Sequence, residues 1–265
     1  QQVIPGASWA LQLYGKRVYL VGSDYVFPRV AHHILADVVA AKGGQVVGEA
    51  YRPLESEDFS RAVAEIDALQ PDIVFNTVNG SSNVALFRAL KAAGLMQIPV
   101  MSFSVDENGL AALREVGHPL HYATWSYFES LPGQANQQFL TAWRARQAAR
   151  PVQYAATDAV VSAYAGVKLW AQAVTSADSA QVDAVKVAVG MQSLAAPSGI
   201  LAMDGRTHHL WKPAYIGQAQ ANGSFRILAQ LGDPFRPTPY PEYRRLQEWQ
   251  RILRQAQSTS AAARP

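Results

Sequence analysis

The chain has 265 residues, of which 49% are hydrophobic and 16% charged, with a formal net charge of +3 and no cysteine. That length supports one large domain or two modest ones. The missing cysteines exclude disulfides, thiolate metal sites and a cysteine nucleophile, and no apolar run reaches the roughly 18 residues of a membrane span.

The opening stretch "QQVIPGASWALQLYGKR" lacks the basic and apolar regions of a secretory signal. A removed signal or a missing upstream segment would leave the same appearance. "RVYLVG" (17–22) is a continuous apolar run, as expected of a strand covered on both faces. It runs into "GSDYVFPR", a turn that carries an acid and two aromatic rings where a plain connection would use Gly, Asn or Ser. The helix that follows is expected to bury Val30, Ile34, Leu35 and Val38 and to end at Gly43-Gly44.

"QVVGEAY" (45–51) reads as the second strand. Ser56, Glu57 and Asp58 open a helix whose dipole favours acids, and Phe59, Val63, Ile66 and Leu69 recur at helical spacing. "DIVFNTV" (72–78) is a third strand ending in "NGSSN", followed by a helix with Val84, Phe87 and Leu90 and closed by Gly94. "IPVMSFS" (98–104) and "HYATWSYF" (121–128) supply a fourth and a fifth strand. Such alternation implies right-handed βαβ units and a parallel sheet.

From Gly133 to Leu194 only helices are read, at about 134–149, 154–175 and 179–193. Their apolar faces are Phe139 with Trp143, then Val160, Tyr164, Val167 and Ala171, then Val182, Val185 and Val189. Three such helices would normally cover a sheet, and no strands lie between them. Strands return from 199 to 231, where "PAYIGQAQ" and "SFRILAQL" flank Asn222-Gly223, a strong hairpin signal. "DPFRPTPYPEY" reads as an extended strap, followed by a helix to about residue 256 and a frayed tail, "STSAAARP". The late arginines, Arg244, Arg245, Arg251, Arg254 and Arg264, read as a solvated face rather than a nucleic-acid surface.

Catalytic and metal motifs are sparse. His32-His33 and His208-His209 are adjacent pairs whose side chains diverge, so neither chelates. No G-x-x-x-x-G-K-[ST] loop and no G-x-S-x-G elbow occurs. The expectation is therefore no enzyme, no cofactor and no metal.

"KRVYLVGSDYVFPR", "DIVFNTVNGSSN", "IPVMSFSVDE", "YATWSYFESL", "APSGILAMDGRTHHLWKPAYIG" and "PFRPTPYPEY" together resemble the type I periplasmic binding proteins, in the branch that takes urea and short-chain amides. That branch includes ABC-transporter receptors and a cytoplasmic amide-sensing regulator. The resemblance runs from about residue 14 to 243. It implies an α/β fold of two lobes joined by three crossing strands, closing by a hinge on a ligand in the cleft between them. On it, residues 1–14 are the exit helix of lobe 1 and 15–128 the βαβ sheet of lobe 2. Residues 129–197 are the helical part of lobe 1, 198–232 the return strands and hairpin of lobe 2, and 233–265 the strap, helix and tail. Lobe 1 is then incomplete, and the chain is expected to begin after the family's first βαβ block.

In open α/β sheets ligands sit beyond the carboxyl ends of the strands. There the sequence places Ser23 to Phe27, Thr77, Asn79, Ser81, Ser102, Ser104, Trp125, Tyr127 and Phe128. A small amide offers N–H donors and one acceptor oxygen and needs walls that exclude water. Asp24 can accept; Tyr25, Thr77, Asn79 and Ser104 can donate or accept; Phe27 and Tyr127 can form walls. The resemblance points to Tyr25, Phe27, the Thr77–Asn79 region and Ser104. Plainer roles stay open: Asp24 as cap of the helix near Pro28, Tyr25 and Phe27 as packing, Asn79 and Ser81 as turn and cap, Ser102 and Ser104 as strand ends, and Trp125 as core. Ser104, standing where amino-acid receptors of the wider family often carry an acid, favours a neutral ligand.

The expected function is a periplasmic receptor of an ABC transporter, with a small neutral polar ligand and the membrane permease as partners and no nucleic acid. A homodimer, a cytoplasmic amide sensor and a branched-chain amino-acid receptor stay open as alternatives.

Overall fold

The computed structural model describes residues 1–262; Ala263–Pro265, the end of the expected frayed tail, lie outside the described residues. In chain order the elements are α1 (Val3–Tyr14), β1 (Arg17–Ser23), α2 (Val26–Ala41), β2 (Gln45–Arg52), α3 (Ser60–Leu69), β3 (Ile73–Thr77), α4 (Ser82–Ala92), β4 (Val100–Ser102), α5 (Glu107–Ala112) and β5 (His121–Trp125). There follow α6 (Gln134–Gln147), α7 (Asp158–Ala177), α8 (Val182–Val189), β6 (Ser193–Ala196), β7 (Gly199–Asp204), β8 (His209–Trp211), β9 (Tyr215–Ala219), β10 (Phe225–Gln230) and α9 (Leu246–Ala262).

Seven strands form one sheet in the order β10-β9-β5-β4-β3-β1-β2. The pairs β1–β2, β1–β3, β3–β4 and β4–β5 are all parallel. Six of the seven residues of β1 and all five of β3 are buried, which is why both read as unbroken apolar runs. The chain order reverses between β1 and β3, so their carboxyl ends flank the topological switch point of the sheet.

The chain forms two compact units. The larger comprises Gln2–Thr124, Gly217–Arg226 and the chain from Tyr240; the smaller comprises Gln1, Trp125–Ile216 and Ile227–Pro239. The chain passes from one to the other inside β5, β9 and β10. This division differs from the sequence-based one at several places, Trp125–Phe128 and Ile227–Gly232 among them, which lie in the smaller unit. Helix α1 belongs to the larger unit, because Gly6, Ala7, Ala10 and Leu11 are buried there. Strands β7 and β8 belong to the smaller unit, because they pair with β6. The strap divides, Asp233–Pro239 going with the smaller unit, and α9 joins the larger, burying Trp249, Ile252 and Ala256.

In the larger unit α2 buries Pro28, Ala31, His32, Leu35, Val38 and Val39. The stripe is turned from the one expected, and Val30 and Ile34 lie half-buried at its edge. On the sheet side the His32 ring meets Thr77 and Glu49. Arg244 clasps Asp37 of α2 through two hydrogen bonds of 2.6 and 2.7 Å, and Trp249 Nε1 donates to the Pro241 carbonyl at 2.7 Å. These contacts hold the end of the strap and the start of α9.

In the smaller unit β6, β7 and β8 form an antiparallel sheet. The residues around 193–196, where the sequence had suggested helix, are its first strand. Ala165 of α7 packs with Ala196 and Leu201 of this sheet, and Ala173 of α7 packs with Val185 and Ala188 of α8. The buried side of α7 is Val161, Ala165, Leu169 and Ala173, while Tyr164 and Val167 stay exposed, the reverse of the expected face. Small alanines allow close approach there, and apolar size alone misjudges which side packs.

Gly22 marks where tolerance is lowest near the switch point. A Cβ at that position would sit 2.5 Å from Thr77 Oγ1, 2.8 Å from Pro28 Cβ and 3.0 Å from His32 Nε2. Gly22→Ala is expected to destabilise the chain by about 1–3 kcal/mol through overpacking, read as a lower urea midpoint; an unchanged midpoint would show that this contact has slack.

Candidate functional site

The carboxyl ends of β1, β3 and β4 carry a continuous hydrogen-bonded array. The backbone N–H of Asn79 donates to Ser23 Oγ at 3.0 Å, across the switch point. Asn79 Nδ2 donates to the Thr77 carbonyl at 2.9 Å, and Ser104 Oγ donates to the Val78 carbonyl at 2.6 Å. Beneath them Asn76 is saturated. Its Nδ2 donates to Asn83 Oδ1 at 2.8 Å and to Ser102 Oγ at 2.9 Å, and its Oδ1 accepts from the Val78 N–H at 2.8 Å. Asn83 Nδ2 returns to the Val78 carbonyl at 2.6 Å. Ser102 Oγ also meets His121 Nε2 at 2.9 Å.

A second array runs from β3 toward β2. Thr77 Oγ1 lies 2.8 Å from His32 Nε2, and His32 Nδ1 lies 2.8 Å from Glu49 Oε1. The carboxylate can only accept, so Nδ1 donates. In the neutral ring Nε2 then accepts the Thr77 hydroxyl hydrogen. A protonated ring would turn that hydrogen to the Val21 carbonyl, 3.3 Å away. Tyr51 OH donates to Glu49 at 2.6 Å, and its ring stacks on His32 with centroids 4.8 Å apart. The hydrogen bond from His32 holds the Glu49 carboxyl below its usual range, whereas burial raises the Tyr51 phenol, helped by its bond to Glu49.

Each expected site residue can now be placed. Asp24 does not cap α2: that position is Tyr25, which makes no side-chain cap bond. Asp24 Oδ1 instead accepts from Arg29 Nε at 2.6 Å, and the Arg29 guanidinium lies 4.5 Å above the Tyr51 ring. Among the described residues Oδ2 of Asp24 has no protein partner. The rings of Tyr25 and Phe27 lie half-buried with centroids 6.2 Å apart, and partial burial raises the Tyr25 phenol. Asn79 and Ser104 are also half-buried. These five surround the ends of β1, β3 and β4. Thr77 is fully buried, its hydroxyl occupied by His32.

Tyr127 belongs to the smaller unit. It is fully buried, and its OH donates to Asn136 Oδ1 at 2.8 Å. Asn136 in turn donates to the carbonyls of Glu129 and Leu131, and the Phe139 ring meets Tyr127 edge-on at 6.3 Å. Among the other candidates, Ser81 is exposed at the start of α4 and makes no cap bond, Ser102 is buried, and Trp125 ends β5 half-buried.

The residues that sequence reading passed over are Asn76, Asn83, His32, Glu49 and Tyr51. An Asn inside an apolar strand run and a His inside an apolar helix stripe were the available signals. Both imply buried polar groups that must be paired.

The periplasmic binding protein domain family matches residues 1–246. The chain belongs to that family. Three solved structures illustrate the shared architecture. A solute-binding protein of an ABC transporter from R. palustris, in complex with benzoate, is 19% identical with a TM-score of 0.75 over 88% of this chain and 63% of its own. One from Rhodopseudomonas palustris HaA2, in complex with p-hydroxybenzoic acid, is 23% identical with a TM-score of 0.77 over 88% and 64%. A leucine-, isoleucine-, valine-, threonine- and alanine-binding protein from Brucella ovis, in a closed conformation, is 17% identical with a TM-score of 0.74 over 88% and 63%. At these identities the likeness is one of fold, the type I periplasmic binding protein fold with its mainly parallel sheet. The chain spans between 63% and 64% of these proteins' lengths. The family and these neighbours are binding proteins, not enzymes. Among the described residues no helix is long and apolar enough to cross a membrane.

The buried histidines give the larger unit a pH dependence. Burial lowers His121 to about 3 and His118 to about 4. A base depressed in the fold binds fewer protons than the unfolded chain between its folded value and about 6.5, so stability falls as pH falls through that window. The urea midpoint is expected to drop from pH 7 to pH 5, with a slope of up to about 1.4 kcal/mol per pH unit for each ring. Equal midpoints at the two pH values would contradict the burial of both.

Proposed function

We propose that this chain acts as the solute-binding component of an ABC transporter, taking a small neutral polar solute such as urea or a short-chain amide at the carboxyl ends of β1, β3 and β4. The reading places it in the periplasm, with the transporter's membrane permease as partner. Family membership supports the general role. One observation carries the ligand class. Among the seven expected site residues the only formal charge is Asp24, and Arg29 compensates it at 2.6 Å. What remains around the strand ends is the free Oδ2 of Asp24, the amide of Asn79, the hydroxyls of Tyr25 and Ser104, and two aromatic rings. Oδ2 can accept an amide N–H, and the rings limit water, so each polar contact counts.

A second reading rests on the neighbours, which are described with benzoates or as binding aliphatic amino acids. A carboxylate ligand would turn to Arg29, and the Asp24 carboxylate beside that guanidinium would oppose it. One variant separates the two. Thermal-shift titration with urea, acetamide and propionamide is expected to raise the Tm of the unaltered chain. Asp24→Asn is expected to weaken that response about tenfold, the size of losing a hydrogen bond to a charged acceptor. If instead only benzoate or leucine shifts Tm, and Asp24→Asn strengthens the response by releasing Arg29, the neutral-solute reading fails and the carboxylate reading stands.

A further inference from the structure

At the other end of the larger unit's sheet, by the amino-terminal ends of β4 and β5, lies a cavity of about 380 Å³. Its walls include Phe87, Leu110, Leu113 and Val116, all buried. Its charged lining is Lys91 and Arg114, both exposed, and among the described residues no acid lines it. Lys91 Nζ is held over the cavity wall by the Val116 carbonyl at 3.0 Å.

His118 also lines this cavity and is 7% exposed. Its Nδ1 accepts from the Leu120 N–H at 3.2 Å, so the ring's hydrogen sits on Nε2. That Nε2 is buried without a hydrogen-bond partner. Burial keeps the ring neutral, with its one hydrogen on Nε2. A buried donor with no hydrogen-bond acceptor is uncommon, and the edge-on contact of the ring with Phe87 at 5.6 Å offsets its desolvation only weakly until an acceptor arrives. The restraining bond at 3.2 Å lies at the long end of the range, so the ring can turn its Nε2 edge toward an occupant.

We infer that this cavity is a second ligand site, taking a small apolar carboxylate whose tail lies against Phe87, Leu110 and Leu113 and whose carboxylate accepts from His118 Nε2–H between Lys91 and Arg114. The apolar walls select the tail, and two cations without an acid select the negative head. This site is independent of the strand-end reading above.

The probe is 4-phenylbutyrate, with 4-phenylbutanol as its uncharged counterpart. In the unaltered chain, millimolar 4-phenylbutyrate is expected to shift the His118 Nε2 and its hydrogen in nitrogen-15 imidazole spectra. The alcohol is expected to bind at least about tenfold more weakly by calorimetry, as are His118→Phe, which keeps the ring volume, and the double variant Lys91→Met with Arg114→Met. Asn79→Ala, at the strand ends, is expected to leave 4-phenylbutyrate binding unchanged. An unmoved His118 signal, equal affinity for acid and alcohol, or binding lost in Asn79→Ala would each overturn the inference. The imidazole measurement needs no variant, so poor folding of His118→Phe would leave the test intact.

Discussion

Asn76, Asn83 and Ser102, buried beneath the carboxyl ends of β3 and β4, are joined by hydrogen bonds, because an unpaired polar group in a low-dielectric layer is costly. Asn76 meets this demand by reaching three ways at once: to Asn83 at the head of α4, to Ser102 at the end of β4, and to the Val78 amide of its own loop. Ser102 extends the chain to His121 of β5. Four elements are thereby set in one register, and Ser104 and Asn79 are aimed by the same loop carbonyls and hydroxyl that complete the array. A binding surface built this way is ordered before a ligand arrives, which lowers the entropic cost of association.

Charge is handled with the same economy. Arg29 stands one turn into α2, where the helix dipole gives it no support. It is held by Asp24 on one side and by the Tyr51 ring on the other. Tyr51 is fixed by Glu49, and Glu49 by His32. Removing any member would leave a neighbour's charge less compensated, so the set acts as a unit rather than as separate pairs. Its outer edge is one carboxylate oxygen beside two rings. On the proposed reading, that edge would face a polar group without net charge.

The parts that were legible in the sequence are those where burial and periodicity agree. Strands β1 and β3, covered on both faces, show as apolar runs, and Asn222-Gly223 shows as the turn between β9 and β10. The less legible parts are those where a polar or small residue decides the packing. His32 lies within the buried stripe of α2, where the expected stripe held only Val30, Ile34, Leu35 and Val38. Alanines 165 and 173 set the inner face of α7, although Tyr164 and Val167 carry more apolar area. The short strands β6, β7 and β8 have no long run to announce them, and α9 continues through Ala262 past the point where its apolar spacing fades. At the candidate site the turn "GSDYVFPR" was recognisable by its odd composition. The role of Asp24 was not, because its partner Arg29 is five residues on and nothing local favours that pair over a helix cap.

The two ends of the larger unit's sheet are joined by a short path. β4 is only three residues long, roughly 10 Å at the usual rise of a strand. His121 touches both ends: it lines the amino-terminal cavity and bonds Ser102, the last residue of β4. Coupling between two sites needs an element with two arrangements that both sites can bias. His121 does not supply one. Its ring is fully buried, lies 4.6 Å from the Phe87 ring and 6.5 Å from the Phe225 ring, and is tied at 2.9 Å to a hydroxyl that Asn76 also holds. His118, by contrast, has one long hydrogen bond, one donor without an acceptor and an edge-on contact with the Phe87 ring at 5.6 Å. The array that orders the carboxyl ends thus also holds His121 fixed between the two proposed sites.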